Sequence, residues 1–157
     1  MDNELGVGPI EIRSSDLKKA KAALAELEKP RFLKIPVQSV KFVPLWCHQL
    51  GMDPVGIIRH PAEVVDSFVN RANKCPKVFE NYVCEFYELM SDLYEKNPYP
   101  IFVYDKNFSV THVNEVLNIH STATFDTNYA QAKARPVSRE TLNAWSRVKE
   151  MATENGT

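Results

Sequence analysis

The chain predicts an α/β domain with a parallel sheet, and three observations carry that prediction. Three short apolar runs, at residues 32–35, 55–58 and 101–104, are each bounded by proline or glycine turn signals. Each is followed by a stretch whose apolar residues recur at helical spacing. Strands that alternate with helices in this way build parallel sheets, and their connections run right-handed.

With 157 residues the chain is long enough for one domain with a substantial core. The hydrophobic share of 44% and the charged share of 25% fit a soluble globular protein. The net charge of −1 supplies no global basic field, so nucleic acid is not an expected partner and any anion site must be local. No apolar run approaches the ~18 residues of a membrane span. The first twenty residues lack an apolar signal core, so a cytoplasmic location is expected, with loss of an upstream segment as the alternative. Cys47, Cys75 and Cys84 show no C-x-x-C spacing, and Cys47 and Cys84 lie in apolar helical patterns as small core residues. The four histidines form no H-x-x-x-H pattern, so no protein-held metal is expected.

Taken in order, residues 1–13 contain Gly6, Gly8 and Pro9 and little periodicity, which predicts an irregular arm. The α/β domain is expected over residues 14–150. Ser14 or Ser15 can cap a first helix running to about Lys29, with Leu17, Ala20, Leu24 and Leu27 on its apolar stripe and Pro30 as its stop. Phe32, Leu33 and Ile35 read as a strand, with Lys34 near its end and Pro36 closing it. Ser39–Leu50 reads as a helix ended by Gly51, and Pro44 inside it must kink it or mark a broken start.

The stretch PVGIIRHPAEVVDS, residues 54–67, follows. Val55–Ile58 reads as a buried strand, and Arg59 stands at its carboxyl end. Pro61 suits the first position of a helix in which Val64, Val65 and Phe68 face one way and Glu63 and Asp66 another. Ser67 sits about two turns in. A parallel strand delivers ligand-facing residues at its carboxyl end, and the next helix aims its N–H groups at the same crevice. A cation and a hydroxyl there make a phosphate site; the alternative is an arginine closing a strand and a serine packed in a helix.

Pro76–Asn97 reads as a long amphipathic helix with Val78, Phe79, Tyr82, Val83, Phe86, Met90 and Leu93 on its stripe, which is expected to serve burial. Ile101–Tyr104 is the third strand, and Val110–Ile119 a short helix. Residues 121–137 are polar and irregular. Ser138 caps a last helix, with Leu142, Trp145 and Val148 inward and Glu140 and Glu150 exposed, and residues 151–157 are a tail expected to fray.

Arg59, Pro61 and Ser67 resemble the motif of sulfotransferases that use the activated sulfate donor PAPS (3′-phosphoadenosine 5′-phosphosulfate). These carry an arginine, a proline two residues on and a serine eight residues on, directly after a buried strand. The resemblance implies that Arg59 and Ser67 hold the 3′-phosphate of the donor. Lys34-Ile35-Pro36, residues 42–49 (FVPLWCHQ) and the segment from Asn81 to Tyr104-Asp105 are similar to other family segments. Ser121-Thr122, Gln131, Arg135-Pro136-Val137, Leu142 and Trp145 resemble a segment of tyrosylprotein sulfotransferases and their bacterial relatives, in which Arg135 would lie over the donor nucleotide. The implied fold is a P-loop-NTPase-like sulfotransferase fold with a parallel sheet.

The family's opening strand and loop of the kind P-K/R-S-G-T-T/S, which cradles the 5′-phosphosulfate, has no counterpart here. Gly6-Val7-Gly8-Pro9 lacks a following Ser/Thr or Lys. The chain therefore reads as such a fold truncated at its N-terminal βα unit, with a protein partner or a lost upstream segment supplying the missing loop. Sulfuryl transfer to a hydroxyl or amine, on a small-molecule, glycan or peptide acceptor, needs positioning and stabilisation of spread negative charge. Lys34 would neutralise charge on the bridging oxygen or sulfate, unless it is a solvated strand-end lysine. His60 or His48 would act as base, unless each is structural. The competing expectations are a non-catalytic nucleotide-binding or interaction module and a remnant without a ligand.

Overall fold

The computed structural model describes residues 9–11, 17–26, 32–34, 37–72, 75–120 and 135–153. The chain is a mixed α/β protein, mostly helical, and its strands pair in parallel. It divides into two units, residues 1–54 and 55–157. The cap at Ser14 or Ser15, the stop at Pro30, the irregular stretch 121–134 and most of the tail lie outside the described residues.

In the first unit, strand β1 (Pro9–Glu11), helix α1 (Leu17–Ala25) and strand β2 (Phe32–Lys34) form a parallel β–α–β arrangement, with Pro9 opposite Phe32 and Glu11 opposite Lys34. β1 falls inside the arm read as irregular. Three residues led by a proline show no period, and pairing with β2 is what makes them a strand. A 3₁₀ turn at Val37–Phe42 precedes helix α2 (Val43–Leu50), so Pro44 marks a broken start rather than a kink. At the first turn its missing N–H costs no helical hydrogen bond. Gly51 ends α2 with φ 62°, a left-handed conformation in which a β-carbon is strained. Leu24 and Trp46 are buried.

In the second unit, strand β3 (Gly56–Ile58) pairs in parallel with strand β4 (Ile101–Val103), with Gly56 opposite Ile101 and Ile58 opposite Val103. Between them run helices α3 (Pro61–Ala72) and α4 (Pro76–Lys96), and after β4 come α5 (Val110–Leu117) and α6 (Arg139–Met151). Helix α4 packs against both α3 and α6. The core is built from Ile58, Val65, Val83, Tyr87, Ile101, Phe102 and Val148, all fully buried, with Phe68 stacked on Phe79 at 5.0 Å between ring centres.

Three expectations about burial shift. The run at Val55–Ile58 buries Gly56 and Ile58 but leaves Ile57 58% exposed, because only alternate residues of a strand point to one face. The inward face of α4 is Phe79, Glu80, Val83, Cys84, Tyr87, Met90 and Ser91, whereas Val78 and Tyr82 are exposed and Phe86 and Leu93 half-buried. Because α4 is covered by α3 and α6, its buried face is set by two partners and takes in polar positions that an apolar stripe omits. On α6, Thr141 and Ala144 are buried beside Trp145 and Val148, and Leu142 is outward.

Gly56 is required by close packing. A β-carbon there would press on Met90 Cε and stand 3.2 Å from Ile101 Cγ1. Gly56→Ala is expected to destabilise the second unit by about 1–3 kcal/mol, the scale of overpacking, with the mobile end of Met90 giving some relief. Urea denaturation checks this: a midpoint equal to or above wild type would show that Met90 moves aside without cost.

Candidate functional site

The site is assembled around α3. Strand β3 ends at Ile58, and the chain turns through Arg59 and His60 into the helix. The turn is closed by His60. Its carbonyl accepts from the Glu63 and Val64 amides at 3.0 and 3.2 Å, and its Nδ1 accepts from the Ala62 amide at 3.2 Å. The bonds to the Ala62 and Glu63 amides satisfy first-turn donors that a helix start otherwise leaves without partners, and the bond to Val64 opens the helical ladder. Deep in the unit, the Tyr87 hydroxyl donates to the Arg59 carbonyl, and burial raises the Tyr87 phenol well above its usual range, so it stays a donor. The backbone that presents Arg59 is thus held from both sides.

Arg59 donates from Nε to Glu63 Oε2 at 2.6 Å, and its guanidinium lies 5.3 Å from the centre of the Tyr104 ring. One turn further along α3, Asp66 accepts from Arg135 Nε at 2.5 Å and from Asn70 Nδ2 at 3.2 Å. Glu63, Asp66, Ser67 and Asn70 follow the i, i+3, i+4, i+7 spacing of a single helix face. Arg59, Ser67 and Arg135 are therefore brought to one face of α3, although Arg135 is 69 residues from its partner. Glu63 and Asp66 are only 8% and 9% exposed, while the side chains of Arg59 and Arg135 keep 28% and 35% of their surface open to solvent, so the acids are withdrawn from water and the arginines partly hydrated. Two guanidinium groups and two carboxylates sum to no formal charge.

The segment carrying Arg135 is fastened a second time. Glu80 Oε1, on α4, accepts from the Ser138 amide at 2.6 Å and from the Thr141 hydroxyl at 3.0 Å, while Ser138 Oγ caps α6 by accepting from the Thr141 amide at 3.2 Å. Burial alone would raise the Glu80 carboxyl; the hydrogen bonds from Ser138 and Thr141 outweigh it and hold the group below its usual range. A carboxyl whose folded pKa is depressed contributes stability above its unfolded pKa and loses it as pH falls through the folded value. Glu80→Gln is thus expected to cost about 1 kcal/mol near neutrality, the size of a net hydrogen-bond term. The difference from wild type should shrink on acidification. Thermal melts at pH 7 and below pH 4 check this, and a gap that stays constant would show that the charge of Glu80 contributes nothing.

The expected catalytic residues fare differently. Lys34 is the last residue of β2, in the first unit, and its side chain lies outside the described residues. His60 is exposed, edge-on to Trp145 at 5.6 Å, and its Nδ1 lone pair serves as a helix cap. A neutral ring in this arrangement carries its proton on Nε2, so base catalysis would require releasing the cap. His48 is an exposed residue in the last turn of α2, in the first unit.

Sequence reasoning missed the counter-charges. The Arg59–Glu63 spacing of four was legible, but the pairing of Arg135 with Asp66 and of Ser138 with Glu80 spans the whole unit. An open hollow of about 150 Å³ lies between α4 and the start of α6, where Cys84 Sγ, a Glu88 carboxylate oxygen and a Glu140 carboxylate oxygen come within 4.8 Å of one another. Burial pushes the Cys84 thiol pKa up, and the sulfur lies 3.8 Å from Glu88 Oε1 as a donor. Metal ligation needs the thiolate, so this trio is a poor fit to an ion.

Among the described residues, no helix is long and apolar enough to cross a membrane. Compared with family models, curated proteins and solved structures, the chain matches none.

Proposed function

We propose that the second unit binds the 3′-phosphate end of an adenosine nucleotide and that the chain is sulfotransferase-like, transferring a sulfuryl group from PAPS to a hydroxyl or amine acceptor. The observation that carries this is the convergence of Arg59, Ser67 and Arg135 on one face of α3, at the carboxyl end of a parallel strand. That is where parallel sheets place ligands, and the N-terminus of α3 adds its own partial positive charge. Arginine forks suit phosphate oxygens, and a serine hydroxyl adds a donor. The donor set fits the 3′-phosphate. No sequence of the phosphosulfate-loop kind is available for the 5′ end, and a protein partner is proposed to provide it. Acceptor pockets are built from loops, and the fold does not specify them.

Calorimetric titration with adenosine 3′,5′-bisphosphate tests the site. Binding at micromolar strength, about 8 kcal/mol, is expected, with adenosine 5′-monophosphate at least about tenfold weaker. Equal affinities for the two nucleotides, or no binding by folded protein, would overturn the reading.

A second reading is favoured by the charge balance. Because Glu63 and Asp66 cancel Arg59 and Arg135, the chain can be a nucleotide-binding or interaction module without turnover. Binding without sulfuryl transfer from labelled PAPS to any of a panel of alcohols and amines, in the presence of co-purifying proteins, would favour it.

A further inference from the structure

We infer that Glu63 and Asp66 set the anion affinity of the α3 site by competing with the ligand for Arg59 and Arg135. This rests on the reading of that face as a nucleotide site. Each arginine already donates from Nε to a carboxylate, at 2.6 Å for Arg59–Glu63 and 2.5 Å for Arg135–Asp66. Both acids come from one helix, three residues apart, which places their β-carbons about 5–6 Å from each other on the same face. Ser67 lies one turn beyond Glu63, four residues along the same helix, so a phosphate taken by both Arg59 and Ser67 comes close to the Glu63 carboxylate.

The burial of the acids makes this matter. Glu63 and Asp66 are buried beside partly exposed arginines, so their charges are less screened than surface carboxylates and act on an incoming anion at close range. An entering phosphate gains from the guanidinium groups and is repelled by the carboxylates that hold them. The pairs also hold the arginines in place without a ligand, with Tyr104 bracing Arg59 and Asn70 bracing Asp66. The acids are thus positioning residues with an electrostatic penalty built in. The site is expected to favour ligands that reach the arginines by other edges over ligands that must displace the acids.

The test is titration of wild type, Glu63→Gln, Asp66→Asn and Glu63→Asp with adenosine 3′,5′-bisphosphate, with circular dichroism to monitor folding. Glu63→Gln and Asp66→Asn are each expected to bind at least about fivefold tighter than wild type, because one repulsive charge is removed while an acceptor for the arginine remains. Glu63→Asp keeps the charge and should bind as wild type does. A purely structural role for the acids would lower affinity or leave it unchanged, and either result overturns the inference while leaving the nucleotide reading intact. Gain by Glu63→Asp equal to that of Glu63→Gln would also overturn it, since affinity would then follow shape rather than charge. Should Glu63→Gln not fold, Asp66→Asn carries the same test through Arg135; failure of both to fold, with Glu63→Asp folded, would make the acids structural counter-ions and overturn the inference. Absence of binding in every folded protein overturns the nucleotide reading and this inference together.

Discussion

Trp145→Ala is expected to destabilise the second unit by about 3–5 kcal/mol, the range for removing a large aromatic residue from a packed core. Trp145 is 7% exposed and meets Tyr87 at 5.4 Å and His60 at 5.6 Å between ring centres. It lies on α6 and touches both supports of the Arg59 turn: the tyrosine that donates to the Arg59 carbonyl and the histidine that caps α3. The loss should therefore be felt beyond the cavity. Chemical denaturation measures the stability, and amide exchange at Ala62 reports the cap. A stability change under ~1 kcal/mol would mean that the neighbouring rings close over the gap, contrary to the rigidity of packed interiors. Trp145→Phe, which keeps a ring, should recover much of the loss.

Arg59→Ala is expected to remove about 1.5–3 kcal/mol of affinity for adenosine 3′,5′-bisphosphate, the scale of a hydrogen bond to a charged group. The variant also leaves Glu63 buried without the guanidinium that neutralises it, so a stability cost accompanies the binding loss. The two effects separate by design. Combining Arg59→Ala with Glu63→Gln removes the buried charge and should restore stability while recovering only the part of the affinity that the Glu63 repulsion withholds. Retention of full affinity in folded Arg59→Ala would show that Arg59 is a structural partner of Glu63 alone and would remove the principal ligand of the proposed site.

Much of the fold was legible because its signals are local. Pro61, Pro76 and Ser138 each mark the start of a helix, and Gly51 marks an end, since caps and first turns act through the backbone of the residues concerned. β1 was not legible, because three residues carry no period and only β2 makes them a strand. The inward faces of α4 and α6 were legible to within one residue, but on α3 Glu63 and Asp66, read as facing away from Val64, Val65 and Phe68, are buried with Val65, because their arginine partners come from outside the helix. Which of two adjacent apolar stripes on α4 turns inward depends on where α3 and α6 lie, and that is not written in α4 itself.

The candidate site divides in the same way. Arg59, Pro61 and Ser67 could be placed from spacing, because strand end, turn and helix face are successive in the chain. The role of His60 as a cap rather than a base needed the direction of its ring. The sequence alone determined an arginine at the carboxyl end of a parallel strand, followed by a helix with Ser67 two turns in. Only the tertiary structure decided the electrostatics: Arg135 arrives from 69 residues away to meet Asp66, and Glu80 reaches the start of α6 to hold that arrival in place. The physical reason is that hydrogen bonds and charge act over a few ångströms of space, and folding chooses which distant residues share that space.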